Sequence, residues 1–379
     1  MKNFRKYILT AVFFTTTLSV FCTPILTSGQ KQKIADGLND FANEIKVAAP
    51  EAATQMNVWS EAHIGNLFPT IHPHLGGGFS IGGTAINMAG FKAAAKELSD
   101  DYNTLATGGG IYPGKSLNPA EFEKIPDKFV FPSASLELRF GGFVLPFDFG
   151  IFAMMTNPNI FAVHLDDPNT IYDMSQAIKF GFMGFDGSFD YFSIGGDFRI
   201  RLLEEDGAIP MISVGAGYAY TKGVVKVHTD APPTEVLGTT QNTAIDMALG
   251  FQTQVIFIQG QISKDLAIVT LFAGTRGTLS NTSCDWSWAI DSENSSGLPA
   301  LHFTDGDSGS VTATGLADTH KDGKWDFSGI QPQVYGGCSV NLPKTQLTLS
   351  LCADIRSLFD KGNYTDFIWS GALGVHFKI

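Results

Sequence analysis

Charged side chains of both signs recur at alternate positions in several stretches whose other positions are apolar. Such alternation puts the charges on one face of a β-strand and the apolar residues on the other face. Charges on a shared inner face either pair with one another or line a water-filled path, where their field selects solutes. The residues that we assign to such a face are Glu137, Arg139, Asp197, Arg199, Arg201, Asp246, Asp354 and Arg356.

Other fragments resemble functional motifs but lack the partners that their chemistry needs. The segment 306–310, GDSGS, is similar to a serine-protease nucleophile loop, which also requires a His base and an Asp orienter. The glycine run at 76–82 lies in an alternating strand with no βαβ unit after it. Acidic residues at 305–326 do not have EF-hand spacing, and His72 and His74 have no evident third ligand. We therefore predict no enzymatic activity, no cofactor and no metal site.

Alternation with a period of two indicates that most of the chain forms β-strands. The clearest examples are 134–140, 192–202, 245–257 and the closing stretch 369–379. In the third of these, the apolar set runs from Ile245 to Phe257, and Asp246 lies on the opposite face. The pattern predicts about twelve strands, within a range of roughly 10 to 14.

The connections between these strands are sorted by length. Short turns are predicted at 141–142, 204–210, 259–264 and 341–344, and longer polar excursions at about 86–130, 156–175, 222–242 and 278–327. A soluble sandwich has no reason to alternate short and long connections in this way, whereas an outer-membrane barrel does. The apolar faces also match the ~9–11 residues that a tilted strand needs to cross a bilayer. We therefore predict an all-β, transmembrane antiparallel barrel over 51–379.

The composition also favours a membrane barrel. The chain has 41 Gly and 31 Phe, and only 16% of its residues are charged, against about 25% in a typical soluble domain. No segment of the mature chain reaches the ~18 consecutive apolar residues of a membrane helix. The formal net charge of −12 argues against nucleic acid as a partner, since phosphate binding requires a basic surface.

The N-terminal region has the pattern of a secretory signal peptide. Lys2, Arg5 and Lys6 precede an apolar run over 7–21, and small or polar residues follow. This pattern predicts that residues 1–29 are removed on export. Together with the barrel, it predicts a location in the cell outer membrane.

One helix is predicted between the signal peptide and the barrel. Ile34, Leu38, Phe41 and Ile45 recur at helical spacing, and Pro50 is expected to end the helix. Residues 30–50 form either a periplasmic helix or a plug in the mouth of the barrel, and both readings stay open.

Two cysteines report on the faces of the predicted hairpin around 341–344. If its apolar faces are matched, Leu347 lies opposite Cys338, which then points to lipid, and Cys352 lies on the polar face. Because residues on opposite faces of a sheet cannot bring their Cβ atoms within about 4 Å, we predict no disulfide between these cysteines.

Two segments resemble predicted outer-membrane proteins of spirochaetes. They are FPTIHPHLGGG at 68–78 and LRFGGFVLPFDFG at 138–150, and the barrel layout resembles that family over most of the mature chain. The resemblance implies location and architecture more than activity. A looser likeness to long-chain fatty-acid transporters, which pair an N-terminal plug with a barrel, rests on the helix and the glycine-rich barrel. No ligand site is carried over from it.

The last strand is similar to the C-terminal signal that the barrel-assembly machinery reads. Its aromatic residues are Trp369 and Phe377, although Phe377 lies two residues before the end rather than last. The expected partners are outer-membrane lipid, this machinery and a small-molecule or fatty-acid substrate. The leading hypothesis is a channel or transporter for small solutes or hydrophobic nutrients. The alternative is a structural or adhesive surface protein that acts through its loops, above all 278–327.

Overall fold

The computed structural model describes most of the chain that the barrel prediction concerns. The described residues are 26–55, 58–64, 74–107, 127–142, 146–156, 178–182, 185–236, 239–294, 303–314, 330–359 and 367–378. The predicted signal peptide lies outside them up to residue 25, as do residues 68–73 and 143–145 of the two segments that resemble the spirochaete family.

Twelve strands in the described residues belong to one antiparallel sheet. They are β1 (His74–Asn87), β2 (Lys128–Gly141), β3 (Phe147–Met155), β4 (Ile178–Phe182), β5 (Phe185–Leu203), β6 (Met211–Val236), β7 (Thr239–Leu266), β8 (Val269–Asn294), β9 (Phe303–Thr314), β10 (Gln331–Leu342), β11 (Thr345–Asp354) and β12 (Trp369–Lys378). The strands carry the alternating sequence stretches described above.

The sheet closes on itself. Strand β1 pairs with β2 on one side and with β12 on the other, and β8 pairs with both β7 and β10. The circuit therefore returns to its start through ten strands, because β4 pairs only with β5 and β9 only with β8 among the described residues. This closure confirms the predicted all-β antiparallel barrel.

Three helices accompany the barrel in the described part of the chain: α1 (Ser28–Gln55), α2 (Ala89–Thr107) and α3 (Arg356–Phe359). The prediction that Pro50 ends the first helix is wrong, because α1 continues through Pro50 to Gln55. Buried alanines and a hydrogen bond from the Thr54 hydroxyl to the carbonyl oxygen of Pro50 support this last stretch. None of the described helices is long and apolar enough to cross a membrane.

The two ends of the barrel differ in their connections. At one end, which we call the turn end, β2 leads to β3, β5 to β6, β7 to β8 and β10 to β11 through short segments. The predicted turns at 141–142, 204–210 and 341–344 are confirmed there. The predicted turn at 259–264 is wrong, because β7 continues to Leu266 and turns at Ala267, which has a φ of 63°. The polar residues of 259–264 include inward-facing strand positions rather than a turn.

At the other end, the loop end, two predicted excursions are strands. The segment 222–242 belongs mostly to the long hairpin of β6 and β7. The segment 278–327 is not a single loop, because β8 runs on to Asn294 and pairs with β9. The many polar residues of these two segments are typical of loops in a sequence. In the structure, every second residue of the strands lies on the outer face, where polar side chains are accommodated.

The interior changes character along the strands because α1 fills its loop-end half. Along β7, the odd-numbered positions from Thr243 to Ser263 face inward. They are apolar beside α1, as at Phe251, and polar toward the turn end, as at Gln261. The prediction that Ile245–Phe257 face outward is therefore wrong. Asp246 lies on the outer face, and its assignment to the lumen is corrected with it.

The outer face carries a continuous apolar surface in the turn-end half. All ten strands of the circuit contribute exposed large apolar side chains to this outer belt. Examples are Phe79, Leu138, Ile151, Phe198, Val214, Ile258, Leu271, Val340, Leu349 and Leu373. Trp369 and Phe377 of the closing strand belong to it too, at 40% and 52% exposure.

The hairpin of β10 and β11 has the predicted faces but not the predicted register. Cys338 lies opposite Leu349, and Val340 lies opposite Leu347. A shift of two positions preserves the face of every side chain, so Cys338 still lies on the outer face. Cys352 is buried on the inner face.

Replacement of neighbouring residues on β7 tests which face is inside. Phe251 is fully buried, and its ring lies 5.1 Å from that of Phe131 at an angle of 71°. We expect Phe251→Ala to lower the free energy of unfolding by about 3–5 kcal/mol. Gln252→Ala on the opposite face should change it by less than ~0.5 kcal/mol. Urea unfolding of the barrel in detergent, followed by tryptophan fluorescence, measures both; equal losses would contradict the assignment of faces.

Candidate functional site

The structure brings five of the predicted charged residues together inside the turn-end half. Glu137 and Arg139 lie on β2, and Asp197, Arg199 and Arg201 lie on β5. All five are at most 3% exposed. Their parity on the two strands is the one that the sequence alternation predicts, since the outer positions between them belong to the outer belt.

The other three predicted residues lie elsewhere. Asp354 is buried at the loop end of β11, where its carboxylate accepts a hydrogen bond from the backbone N–H of Arg356. Arg356 begins α3 and is half-buried. Asp246 is on the outer face of β7, 3.0 Å from Nδ1 of His228 and 3.5 Å from Nζ of Lys226. None of the three contributes to the cluster at the turn end.

Asp148 is a member of the cluster that the sequence analysis missed. It sits on β3 between the outward residues Phe147 and Phe149, after Pro146 interrupts the alternation. An Asp flanked by two Phe in an alternating stretch was the available signal. Its carboxylate pairs with Arg139 of β2 and with Arg199 of β5, so it joins the two strands that lie on either side of β3.

Every acceptor position of Asp148 is occupied. Oδ1 accepts from Arg139 and, at 2.9 Å, from Nε of Arg199. Oδ2 accepts from Nη2 of Arg199 at 3.0 Å and from the backbone N–H of Ile64 at 2.8 Å. Asp197 completes the network, because it binds Arg139 and accepts a hydrogen bond from Gln259. Two arginines and two aspartates thus balance one another in a buried place, as buried charges require.

Arg276 of β8, also missed by the sequence analysis, links this network to α1. Its Nη1 donates to the carbonyl oxygen of Thr54 at 2.8 Å, and its Nη2 donates to Oε1 of Gln259 at 3.1 Å. The guanidinium lies 5.0 Å from the ring centroids of both Phe257 and Tyr335. A cation beside the last carbonyls of a helix satisfies groups that have no partner within the helix.

The C-terminal turn of α1 lies against the inner wall. Glu51 and Gln55 both accept a hydrogen bond from the hydroxyl of Ser370 on β12. Gln55 also donates to Ser350, and Thr54 donates to Gln333. Burial raises the pKa of Glu51, which favours a neutral carboxyl group that can sit in the interior without a paired cation.

Residues 58–64, which we call the inner segment, cross the interior below α1. Trp59 stacks on His376 of β12, with ring centroids 4.3 Å apart, and Arg139 lies 5.7 Å from its ring. The backbone of Ala62 bonds to Ser213 of β6 and Ser263 of β7. The inner segment thereby contacts strands on opposite sides of the ring and crosses the lumen.

Gly76 of β1 explains how Trp59 fits beside the wall. A Cβ atom at position 76 would lie 2.6 Å from Cη2 of Trp59, closer than side chains tolerate. The neighbouring Gly77 faces outward, where a Cβ atom would meet Leu138 at an ordinary 3.5 Å. Gly76, the first residue of the glycine run at 76–82, therefore makes room for the inner segment.

His63 is fully buried among charges. Burial is the main cause that lowers its pKa to about 4. The positive charges of Arg199, Arg201 and Arg139 lower the pKa further, and the negative charge of Asp148 raises it. The imidazole is therefore neutral at pH 7. In a released inner segment, His63 would have its ordinary pKa near 6.5. Because the released form binds a proton more readily than the held form, protonation of His63 favours release of the segment.

The arrangement offers few groups for other chemistry. Within the described part of the chain, no group of three His, Cys, Asp or Glu side chains is placed to hold a metal ion. The GDSGS segment forms the middle of β9, where Asp307 lies opposite Trp288. The buried charges of Arg139, Asp148, Asp197 and Arg199 are engaged in pairing and in binding the inner segment.

No protein family matches the sequence, and no match was found among curated proteins. Similar solved structures include a FadL homologue from Pseudomonas aeruginosa, at 10% identity and a TM-score of 0.24, covering 86% of this chain and 97% of that one. The translocator domain of the autotransporter NalP from Neisseria meningitidis has 7% identity, a TM-score of 0.28 and coverages of 82% and 90%. The toluene transporter TbuX from Ralstonia pickettii has 8% identity and a TM-score of 0.23, and the match covers 81% of this chain and 90% of that one. At these scores, no property of the three proteins is transferred to this chain.

Asp148 and Asp246 provide a matched pair for testing the network. Asp148→Asn leaves Arg139 and Arg199 with one charged partner fewer, and we expect a loss of about 3–5 kcal/mol in the free energy of unfolding. Asp246→Asn removes the same charge from a partly exposed pair on the outer face and should cost ~0–1 kcal/mol. Urea unfolding in detergent compares them. An Asp148→Asn variant that loses no more free energy of unfolding than Asp246→Asn would contradict the role of this carboxylate in the network.

The low pKa of His63 predicts a pH dependence. Its folded pKa of about 4 lies below the ordinary histidine pKa of 6.5, so the stability that neutral His63 allows is present above pH 6.5 and is lost as the pH falls toward 4. We expect the thermal midpoint to fall between pH 6.5 and 4.5 more steeply in the wild type than in His63→Gln. Identical slopes would show that His63 is not the titrating group.

Proposed function

We propose that this protein is an outer-membrane β-barrel that forms a gated passage for small solutes or hydrophobic nutrients. The observation that carries the proposal is the closed ring, whose turn-end half is apolar outside on every strand and charged inside. An exposed apolar belt of this extent has no stable place in water. Around a closed barrel it matches the hydrocarbon layer of a bilayer, in which every strand must have two neighbours.

The sorted ends support an orientation for the barrel. Outer-membrane barrels have short periplasmic turns and longer extracellular loops. We therefore assign the turn end to the periplasm and the loop end to the cell surface. Export by the leader at 1–29 and recognition of Trp369 and Phe377 by the barrel-assembly machinery are parts of the same proposal, and both rest on sequence pattern.

The inner segment and the C-terminal turn of α1 act as the gate. The inner segment is held to the wall by hydrogen bonds to Ser213, Ser263, Gln261 and Asp148, and the C-terminal turn of α1 by bonds to Ser370 and Arg276. Water can replace such bonds, so each neutral bond contributes only about 0.5–1.5 kcal/mol net, and each bond to a charged group about 1.5–3 kcal/mol. Passage requires that the inner segment leaves these partners and that α1 leaves the core of the loop-end half, while the ring stays closed.

The interior supports two kinds of substrate. Its loop-end half is lined by buried apolar side chains such as Phe251, Trp286 and Trp288, which suits hydrophobic molecules, including fatty acids. Its turn-end half is lined by charges of both signs, which suits small polar solutes. A molecule that crosses the whole barrel meets both linings in turn.

One observation favours a second candidate, a structural or adhesive surface protein. Strands β6, β7 and β8 have 26, 28 and 26 residues, whereas about 9–11 suffice to cross a bilayer. In the proposed orientation, this extended part of the wall stands outside the membrane at the cell surface. Its outer face carries polar residues, including Asp246 and Asp285.

Conductance through planar lipid bilayers separates the two candidates. We expect brief, infrequent openings in the wild type and frequent openings in Gly76→Leu, because the leucine takes the space of Trp59 and displaces the inner segment. Gly77→Leu is the matched control, since its side chain faces the outer belt, and it should behave as the wild type.

A deletion of residues 28–64 completes the experiment. The ring does not depend on this part of the chain for its strand pairing, so the deletion should open the barrel permanently. A folded deletion variant and a folded Gly76→Leu variant that both fail to conduct would overturn the channel and leave the surface role. Swelling of liposomes in sugar or fatty-acid solutions then distinguishes the substrate classes.

A further inference from the structure

Arg201 is a buried cation outside the balanced network. It projects inward near the turn end of β5 and is 3% exposed. Its Nε and Nη2 atoms have no hydrogen-bond partner among the described residues. Its nearest carboxylate partner there is Glu204, with Oε1 at 3.6 Å from Nη1 and a side chain that is 42% exposed. A buried guanidinium with this little compensation is costly to the fold.

The neighbouring acids cannot supply the missing partner. Both oxygens of Asp148 are already occupied, by Arg139, Arg199 and the N–H of Ile64. Asp197 is held by Arg139 and Gln259. The adjoining sequence segments 65–73 and 143–145 contain no Asp or Glu. Among the described residues, the charge of Arg201 is therefore compensated chiefly by Glu204, whose side chain is 42% exposed and reaches only Nη1.

His63 lies beside Arg201. The residue before it, Ala62, bonds to Ser213, which is the cross-strand partner of Arg201, and the residue after it bonds to Asp148. His63 therefore crosses over the end of β5 between β3 and β6. Both of its ring nitrogens lack a hydrogen-bond partner among the described residues, and the side chain is 1% exposed.

We propose that a small oxyanion, a carboxylate or an inorganic sulfate- or phosphate-type group, binds between Arg201 and His63 at the turn end of the lumen. Nε and Nη2 form one edge of the guanidinium, which suits two oxygens of such a group. A ring N–H of His63 donates a third hydrogen bond. The site depends on the ring and the inner segment but not on conductance. An anion there joins the gate to the wall and favours the closed state.

Binding of sulfate to the full chain in zwitterionic detergent tests the site, with sulfate as the probe because its charge is constant between pH 5 and 7. Isothermal titration calorimetry, against sodium chloride at equal ionic strength, should show one bound sulfate per chain. Arg201→Gln should weaken it at least tenfold. Lys344→Asn removes an exposed cation from a turn at the same end and should have no effect. Acetate, competing with sulfate, tests whether a carboxylate is accepted.

His63→Phe provides a second variant that lies outside the strands. The groups that act on His63 are Asp148, Arg139, Arg199 and Arg201, and of the whole set only His63 ordinarily titrates between pH 5 and 7. Sulfate affinity should rise severalfold as the pH falls over this range in the wild type and stay constant in His63→Phe. Absence of sulfate binding above chloride, or binding that neither variant weakens, would overturn the proposal. If Arg201→Gln does not fold, His63→Phe decides alone. A sulfate affinity that no longer varies with pH in this variant supports the site, and the same pH dependence as in the wild type refutes it.

Discussion

The carboxylate of Asp148 is the interaction on which the interior depends. It binds an arginine from each neighbouring strand and the backbone of the inner segment at once. Because these charges are buried, they are tolerated only as a complete set, and removal of one member leaves the others uncompensated. The same carboxylate therefore joins the wall to the inner segment, and the position of that segment follows from the charge balance of the wall.

The helix α1 has an equally general effect in the loop-end half. By filling that half it turns the inner face of the sheet into a hydrophobic core, with Trp286 and Phe251 among its members. The outer face is then free to be polar. One continuous strand such as β7 therefore has two opposite polarity patterns, one beside the helix and one within the outer belt, although its backbone and parity do not change.

These two halves explain what the sequence could and could not predict. Alternation identified the strands, the closed antiparallel sheet and the inward charges of β2 and β5, because period two alone groups residues by face. It could not say which face is inside, and Asp246 was misplaced because β7 is apolar on its inner side beside α1. Arg276 and Asp148 were missed because their importance comes from pairing across strands that are distant in sequence. The inner segment has no periodicity, so only the structure places it.

The change of polarity along the outer face also works as a depth mark. On β7, Gln254 is followed on the same face by Ile256, and their partners on β8 are Asn281 and Leu279. On β6 the same two levels are occupied by Tyr220 and Tyr218, and tyrosines favour the boundary between lipid and water. Strands β7 and β8 thus change from polar to apolar at one height, and the two tyrosines of β6 lie at that same height. In the proposed membrane orientation, sliding the wall along the membrane normal would put amides into hydrocarbon or aliphatic groups into water. The wall would therefore keep its depth, and the proposed opening would have to move the chain inside it.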